Sequence, residues 1–598
     1  MRPSKRRCSP SRCRPREIDT KAQVAATRID PEAIADRTTV GVFFRQAAKY
    51  GDRALVHYRD GDGPWQVASW NDVQRRILAV ASALIDAGVK PGECVLVMAE
   101  NCVEWLYCDY AIQAIGAVTV PIYPNVSADA VQTIATNSAA TFAIAGSSQL
   151  VTRIEVTAPL KRVAQMDSEV AQWVQEEPRN IAEIAWRLSK IAPGDLCTIV
   201  YTSGTTGTPK GVELEHHNLV DISRAAASVH PITDQDYSIT WLPYAHVYGR
   251  INDIFLGMVI GLQGWISRGP DHLAEELREI KPTIMNSVPR VYEKMYAAVM
   301  ARVRGMSAMR QAIFRWAIKV GTRFSQTDHP GPLITAQRRV ADRLVLAGLR
   351  TLLTGGKLRF FVSGGAGLAR EIEEFFWALG VPILNGWGLT ETSSGVCSNT
   401  LHEHKFLTVG KPFPGVELKI ADDGEVLVKG PSIMRGYHNQ PEATAEVLKE
   451  GWFYTGDIGE VDSNGFLKIT DRKKSLFKTA GGKYVAPVPL EHGLVANPLV
   501  LRAVIVGEGK PYVTALVVPD WDTARKEGLN ADAVRASIQK TVDALNATLG
   551  HWETIKYFTL LDHDFTEQSG ELSLKLDVKR KVVADRYRDQ IEAMYTGK

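Results

Sequence analysis

The chain has 598 residues, 45% of them apolar and 23% charged, which is close to the globular average and excludes a disordered or fibrous protein. At four times a typical domain of about 150 residues, it also exceeds a single small module. Formal charge is +3, but residues 1–17 hold seven basic side chains against one acid, so the remainder is slightly acidic and lacks the basic balance of a chain built mainly to hold nucleic acid.

Residues 1–30 are rich in Arg, Pro and Ser, without the apolar centre of a secretory signal and with prolines that disfavour a helical transit peptide. They read as a disordered basic tail. The seven cysteines, at 8, 13, 94, 102, 108, 197 and 397, are odd in number and form no CxxC pair, which reads as reduced and cytoplasmic. From about Thr39 to Gly146, helical patterns such as residues 70–87 alternate with short apolar strands at 94–98 and 117–122, the rhythm of α/β layers. The rhythm continues through strands at 197–201, 360–363 and 382–384, each expected to end at a glycine- or hydroxyl-rich turn, where ligand sites of open α/β sheets gather. Residues 405–470 change to short strands broken by turns, a small β-rich subdomain. After a boundary at Asp471/Arg472, residues 472–598 read as a small α+β domain, with strands near 502–506 and 512–518 and a helix over 532–549. The fold class is therefore α/β: a large N-terminal domain, residues 31–471, of layered sheets with a β-rich subdomain, followed by a small α+β C-terminal domain.

No run reaches the roughly 18 apolar residues of a membrane span, and the best, 254–266, is interrupted by glycines. Membrane contact is expected to be peripheral, at the inner face. Residues 301–350 suit it, with ten Lys/Arg against two Asp interleaved with Ile313, Phe314, Trp316 and Ile318.

The strongest signal is IVYTSGTTGTPKG at 199–211: a strand, then hydroxyls and glycines, then a lysine. Thr202, Ser203, Gly204, Thr205, Thr206 and Gly207 supply backbone N–H groups and hydroxyls for phosphate oxygens, and Lys210 adds charge. It is not a Walker A loop, because Lys210 precedes Gly211 and the GK[ST] ending is absent.

Further motifs follow in order: SGGAGL at 363–368, GWGLTET at 386–392, YTGDIG at 454–459 and ITDRKKSLFKTAGGKYVAP at 469–487. With the phosphate loop they resemble the adenylate-forming superfamily over roughly residues 40–583. LPYAHVYGR at 242–250, SVPRVYEKMY at 287–296 and FKTAGGKYVAP are similar to the long-chain fatty acyl-CoA synthetase branch. The resemblance implies ATP, Mg2+ and CoA as co-substrates and cofactor, and a long-chain fatty acid activated to acyl-AMP and then acyl-CoA, with positioning and charge neutralisation as the protein's main task.

By the same resemblance, the loop with Lys210 holds the β and γ phosphates and Glu391 binds the magnesium. Gly364, Gly365 and Ala366 let adenine lie against backbone. Trp387, where the family usually has tyrosine, stacks on the other face within the run Gly386, Trp387, Gly388, Leu389, Thr390. Asp457 accepts from the ribose hydroxyls, Arg472 neutralises the ribose or phosphate end, and His246 sits near the acyl carbonyl. Lys478, Gly481 and Gly482 belong to a loop that enters the site only for thioesterification, when the mobile C-terminal domain turns about a hinge at Asp471. Relatives end with a segment like GxLTPTLKLKRR, whose first lysine contacts the reacting carboxylate; here Asp577 holds that position and Lys575 lies two residues earlier, on the same side of an extended segment. Two alternatives stay open: an acyl-AMP ligase that loads a carrier protein, which the intact KTAGGKYVAP loop disfavours, and a nucleotide- and acyl-binding pseudoenzyme, motivated by Asp577. Neither the chain length of the acid nor the oligomeric state is legible.

Overall fold

In the computed structural model, the described residues are 29–158, 160–202, 209–327, 329–566, 569–572 and 578–596. The basic tail to residue 28, the phosphate-loop residues 203–208 and the segment 573–577 with Lys575 and Asp577 lie outside them. Ile29 is buried and the Asp30 side chain caps the turn Pro31–Ala33, so these two residues, expected in the tail, belong to the folded body.

Short strands buried on both faces require a parallel sheet covered by helices on either side. Cys94–Met98 and Val118–Ile122 are of this kind, and they pair in parallel, Cys94 with Val118 through Met98 with Ile122. They sit at the centre of a seven-stranded sheet that runs from Arg162–Gln165 through Phe142–Ala145, this pair and Leu196–Thr202 to two antiparallel strands, Lys210–Glu215 and Gly436–Tyr437. Val103–Ala114 packs on the central parallel pair, and Trp70–Asp86, which starts at a Ser69/Asp72 capping box, packs on that helix and adds Val73, Ile77, Val80 and Leu84 to the core. A nine-stranded sheet contains Tyr237–Thr240, Ile284–Ser287, Phe360–Ser363 and Ile383–Leu389 as adjacent parallel strands.

The strand expected to end at Leu384 continues to Leu389, because Gly386–Leu389 pair antiparallel with Ser394–Ser398. Glycine makes the continuation possible: a Cβ on Gly388 would lie 1.8 Å from the Ser394 carbonyl oxygen. The chain turns instead at Thr390–Ser393, where Ser393 and Ser394 take φ of 55° and 79°.

Within the β-rich stretch, a five-stranded sheet contains Glu417–Ile420, Glu425–Lys429, Leu448–Lys449, Trp452–Val461 and Leu467–Arg472. Gly436–Tyr437 leaves that subdomain to edge the seven-stranded sheet. In the C-terminal part, Val500–Val506, Val513–Pro519 and Ile555–Leu560 form a three-stranded sheet. Its two-residue alternation sends Ala503, Ile505, Ala515 and Val517 toward helices Pro487–Val495 and Ala531–Asn546, and Val504, Leu516 and Val518 toward Arg588–Thr596. Among the described residues no helix is long and apolar enough to cross a membrane, and the five described cysteines are free.

One polar group sits where apolar packing would be expected. Arg250, 2% exposed, donates from Nε to Asp109 Oδ2 at 2.9 Å and from Nη2 to Asp109 Oδ1, while Nη1 donates to Thr198 Oγ1 at 2.7 Å. Gln113 Nε2 donates to Asp109 at 2.8 Å, and Thr39 bridges Gln113 to His216 Nδ1, 2.8 Å away. Burial, aided by the Arg250 charge, pushes the His216 imidazole down to about 3. Removing one partner of a buried ion pair costs about 3–5 kcal/mol, so Asp109→Ala is expected to lower stability by that order in urea titrations. A shift below about 1 kcal/mol, typical of a neutral hydrogen bond, would show that the pair does not carry this load.

Candidate active site

A cleft of ≈ 2320 Å³ opens at the strand ends of the nine-stranded sheet, and the seven-stranded sheet, the β-rich subdomain and the C-terminal domain supply its other walls. Thr202, Lys210, His246, Gly364, Gly365, Ala366, Gly386, Trp387, Gly388, Leu389, Thr390, Glu391, Asp457 and Arg472 line it. Predicted residues separated by up to 270 positions in the chain therefore meet in one place. Ser203, Gly204, Thr205, Thr206, Gly207 and Lys575 lie outside the described residues.

Thr202 and Lys210 face each other across the antiparallel ladder of Leu196–Thr202 and Lys210–Glu215, so the two residues that bound the segment 203–209 meet at one end of the ladder. Lys210 Nζ lies 4.7 Å from the centre of the Tyr437 ring, within cation–π range. Tyr437 O–H donates to Glu391 Oε1 at 2.8 Å. Glu391 occupies the turn Thr390–Thr392, and its carbonyl accepts from Met434 N–H at 2.9 Å. Burial, reinforced by the Glu391 charge, pushes the Tyr437 hydroxyl well above the usual range, so it stays a donor.

On the wall formed by the β-rich subdomain, alternation along Trp452–Val461 buries Phe453, Thr455 and Asp457 on one face. Asp457 pairs directly across the sheet with Arg472, whose Nε lies 2.9 Å from Oδ1, and Trp387 Nε1–H donates to Oδ2 at 2.8 Å. Burial raises the Asp457 carboxyl, with Arg472 and Trp387 acting against it. Gly364 follows the strand Phe360–Ser363, and a Cβ there would lie 3.1 Å from the Tyr248 ring; Gly365 takes a φ of 87°. Small residues keep this wall at backbone level.

His246 caps the turn Val247–Gly249, its Nδ1 accepting from Tyr248 N–H at 2.9 Å. Ile232, Leu256, Ile260, Leu262 and Ile284 give the cleft an apolar lining. Lys478, Gly481 and Gly482 do not line the cleft in this arrangement of the two domains. They sit on the hairpin of Phe477–Lys478 and Tyr484–Val485, with Lys478 Nζ 4.6 Å from the Tyr484 ring centre. His492, on Pro487–Val495, faces the cleft instead: a Cβ on Gly367 would lie 2.8 Å from its ring. Val578 and Arg580, just after the Lys575 segment, also line the cleft.

The AMP-binding enzyme family matches residues 43–438, and its C-terminal domain matches residues 475–598. This chain belongs to the AMP-binding enzyme family. It is 37% identical over 572 residues to the long-chain-fatty-acid--CoA ligase FadD15 of Mycobacterium bovis, covering 90% of this chain and 94% of that one. Its fold resembles that of the adenylation domain of a Mycobacterium chelonae carboxylate reductase, with a TM-score of 0.72 at 23% identity over 98% of each chain. A Mycobacterium tuberculosis fatty acyl CoA synthetase matches with a TM-score of 0.62 at 20% identity, over 93% of this chain and 99% of that one.

In this AMP-binding enzyme, sequence reasoning missed Tyr437 and His492. Tyr437 lies 46 residues from Glu391 and reaches it only because a two-residue strand crosses between sheets, for which no periodicity exists to detect. A hydrogen bond to a charged group contributes about 1.5–3 kcal/mol, so Tyr437→Phe is expected to raise the KM for ATP at limiting magnesium by about tenfold, with a smaller change in kcat. An unchanged KM would show that Tyr437 does not orient Glu391.

Proposed function

We propose that the chain is an ATP-dependent long-chain fatty acid CoA ligase. The carboxylate attacks the ATP α-phosphate, forming acyl-AMP and releasing pyrophosphate; the CoA thiol then attacks the acyl carbonyl, releasing AMP and forming acyl-CoA. The observation that carries this reading is the convergence of Lys210, Glu391, Trp387 and Asp457 on one cleft that also has an apolar lining. The named ligase relative at 37% identity supports the same chemistry.

Lys210 and the phosphate loop neutralise the departing pyrophosphate. Among the described residues no group of three or more His, Cys, Asp or Glu is arranged around a metal ion. A magnesium ion would be held by Glu391 together with phosphate oxygens and water, an ordinary arrangement for this cation, and it would supply charge neutralisation. Gly364, Gly365 and Ala366 receive the adenine, Asp457 the ribose with Arg472 beside it, and His246 lies at the acyl carbonyl. Lys478, Gly481 and Gly482 act in the second step, and Lys575 takes the place of the lysine that Asp577 replaces.

The test mixes ATP, magnesium, palmitate and CoA and measures pyrophosphate and acyl-CoA separately. Both are expected. Pyrophosphate without acyl-CoA points to carrier loading, and neither product points to a pseudoenzyme. Glu391→Ala is expected to slow pyrophosphate release by about a hundred- to a thousandfold, the usual cost of one preorganised charged contact. Lys575→Ala should suppress the first step but not the transfer from preformed palmitoyl-AMP to CoA, whereas Asp577→Lys should speed the first step alone.

A second reading concerns where the enzyme works. On the helix Ala308–Ser325, Met309, Ile313 and Trp316 are exposed at spacings that share one face, and Leu333, Val340 and Leu344 are exposed on the following helices. Exposed Arg310, Arg315, Lys319 and Arg323 surround them. Phe314 and Ile318 do not belong to this surface, because Phe314 is buried in the core together with Ala317 and Val320 and Ile318 packs against that cluster. Arg338 and Arg350 also point inward, donating to the Ala378 and Leu379 carbonyls. Basic, apolar helical faces of this kind bind anionic interfaces. Flotation with anionic liposomes at low salt is expected to carry the protein upward, and Trp316→Glu to weaken that; no flotation of wild type would refute the reading.

A further inference from the structure

Trp387 offers more than a ring face. Its indole N–H donates to Asp457 Oδ2 at 2.8 Å, and the two residues come from different sheets, Trp387 from Ile383–Leu389 and Asp457 from Trp452–Val461. The bond therefore spans the cleft wall between the nine-stranded sheet and the β-rich subdomain. Asp457 is 2% exposed, and its second anchor is of another kind: the Arg472 side chain is 62% exposed, and its Nε stands 2.9 Å from Oδ1 as an ion pair without an aligned hydrogen bond. An ion pair whose cation stands in water is partly screened and holds geometry more loosely than a buried one. A partly buried N–H on a carboxylate is directional and stronger.

Indole nitrogen donates and never accepts, whereas each carboxylate oxygen accepts more than once. The contact thus fixes the rotation of the Asp457 carboxylate and still leaves acceptor capacity on both oxygens. A phenylalanine ring fills similar space and cannot make this bond. We propose that Trp387 is a positioning residue for the sugar of the bound nucleotide: its indole N–H sets the orientation of the Asp457 carboxylate, so that discrimination between ribonucleotide and deoxyribonucleotide depends on Trp387 as well as on Asp457. This rests on the reading of the cleft as a nucleotide site.

Binding of AMP and of 2′-deoxy-AMP to the full chain, measured by calorimetry, separates the two ideas without requiring turnover. Trp387→Phe is expected to weaken AMP by about tenfold, the order of one hydrogen bond to a charged group, and 2′-deoxy-AMP by much less, so the preference for AMP collapses. Asp457→Asn should collapse it too, and the double variant should add little, as expected for residues acting as a unit. Because burial raises the Asp457 carboxyl and Trp387 opposes that rise, the acid limb of AMP binding should move to higher pH in Trp387→Phe. Equal weakening of both nucleotides, or an unmoved acid limb, overturns the positioning role. If Trp387→Phe does not fold, Trp387→His, which keeps a ring N–H, is expected to retain discrimination, and its loss there overturns the role as well. Wild type that binds neither nucleotide sinks the nucleotide reading itself and this role with it.

Discussion

Arg250 carries a full positive charge to a place that water does not reach, and the surrounding fold is organised to answer it. Its guanidinium is held bidentately by Asp109 on the helix Val103–Ala114 and by Thr198 on the strand leading to the phosphate loop. Thr198 in turn donates to the Thr119 carbonyl on the neighbouring strand, at 2.6 Å. Planar, forked donors suit such multiple contacts, which an ammonium could not reproduce. Arg250 also opens the helical segment that follows His246. The charge therefore joins three things in one rigid unit: the strand Leu196–Thr202, the core of the seven-stranded sheet, and the segment Arg250–Phe255. An unpaired ion at this depth would be prohibitively costly, so the geometry of each depends on the other two.

Much of the framework was legible because it follows local periodicity. Cys94–Met98 and Phe360–Ser363 were readable as continuous apolar runs bounded by turn residues. The helix Trp70–Asp86 announced itself by its spacing and its cap. Ile383–Leu389 was misjudged at its end because glycine usually marks a turn, yet here it marks two backbones in close approach. Phe314 shows another limit. Composition alone grouped it with Ile313 and Trp316, but a helix with apolar residues on two faces can bury only one against its neighbours, and the sequence does not say which.

The site was legible in its motifs and opaque in its connections. Lys210, Glu391 and Asp457 stood out because glycines, hydroxyls and charges were ordered around them. The contacts that orient them, from Tyr437 and from the edge of Trp387, join segments far apart in sequence. Their residue types are also common in cores, so only the tertiary pairing distinguishes them from packing.

The crossing between the β-rich subdomain and the seven-stranded sheet has a further consequence. Residues 430–435 are bonded almost continuously: the carbonyls of Pro431 and Ile433 accept from Asn218, that of Ser432 accepts from Ser393, and the amides of Met434 and Arg435 donate to Glu391 and Glu213. Such a strap has no slack, because one inserted or deleted residue would shift every later donor and acceptor out of step and withdraw Tyr437 from Glu391. Variation in chain length between this enzyme and its relatives must therefore be absorbed elsewhere. The exposed turn at Ser463–Asn464, whose tip lies outside the strands it connects, is suited to that role, and the strap works as a fixed ruler between two sheets.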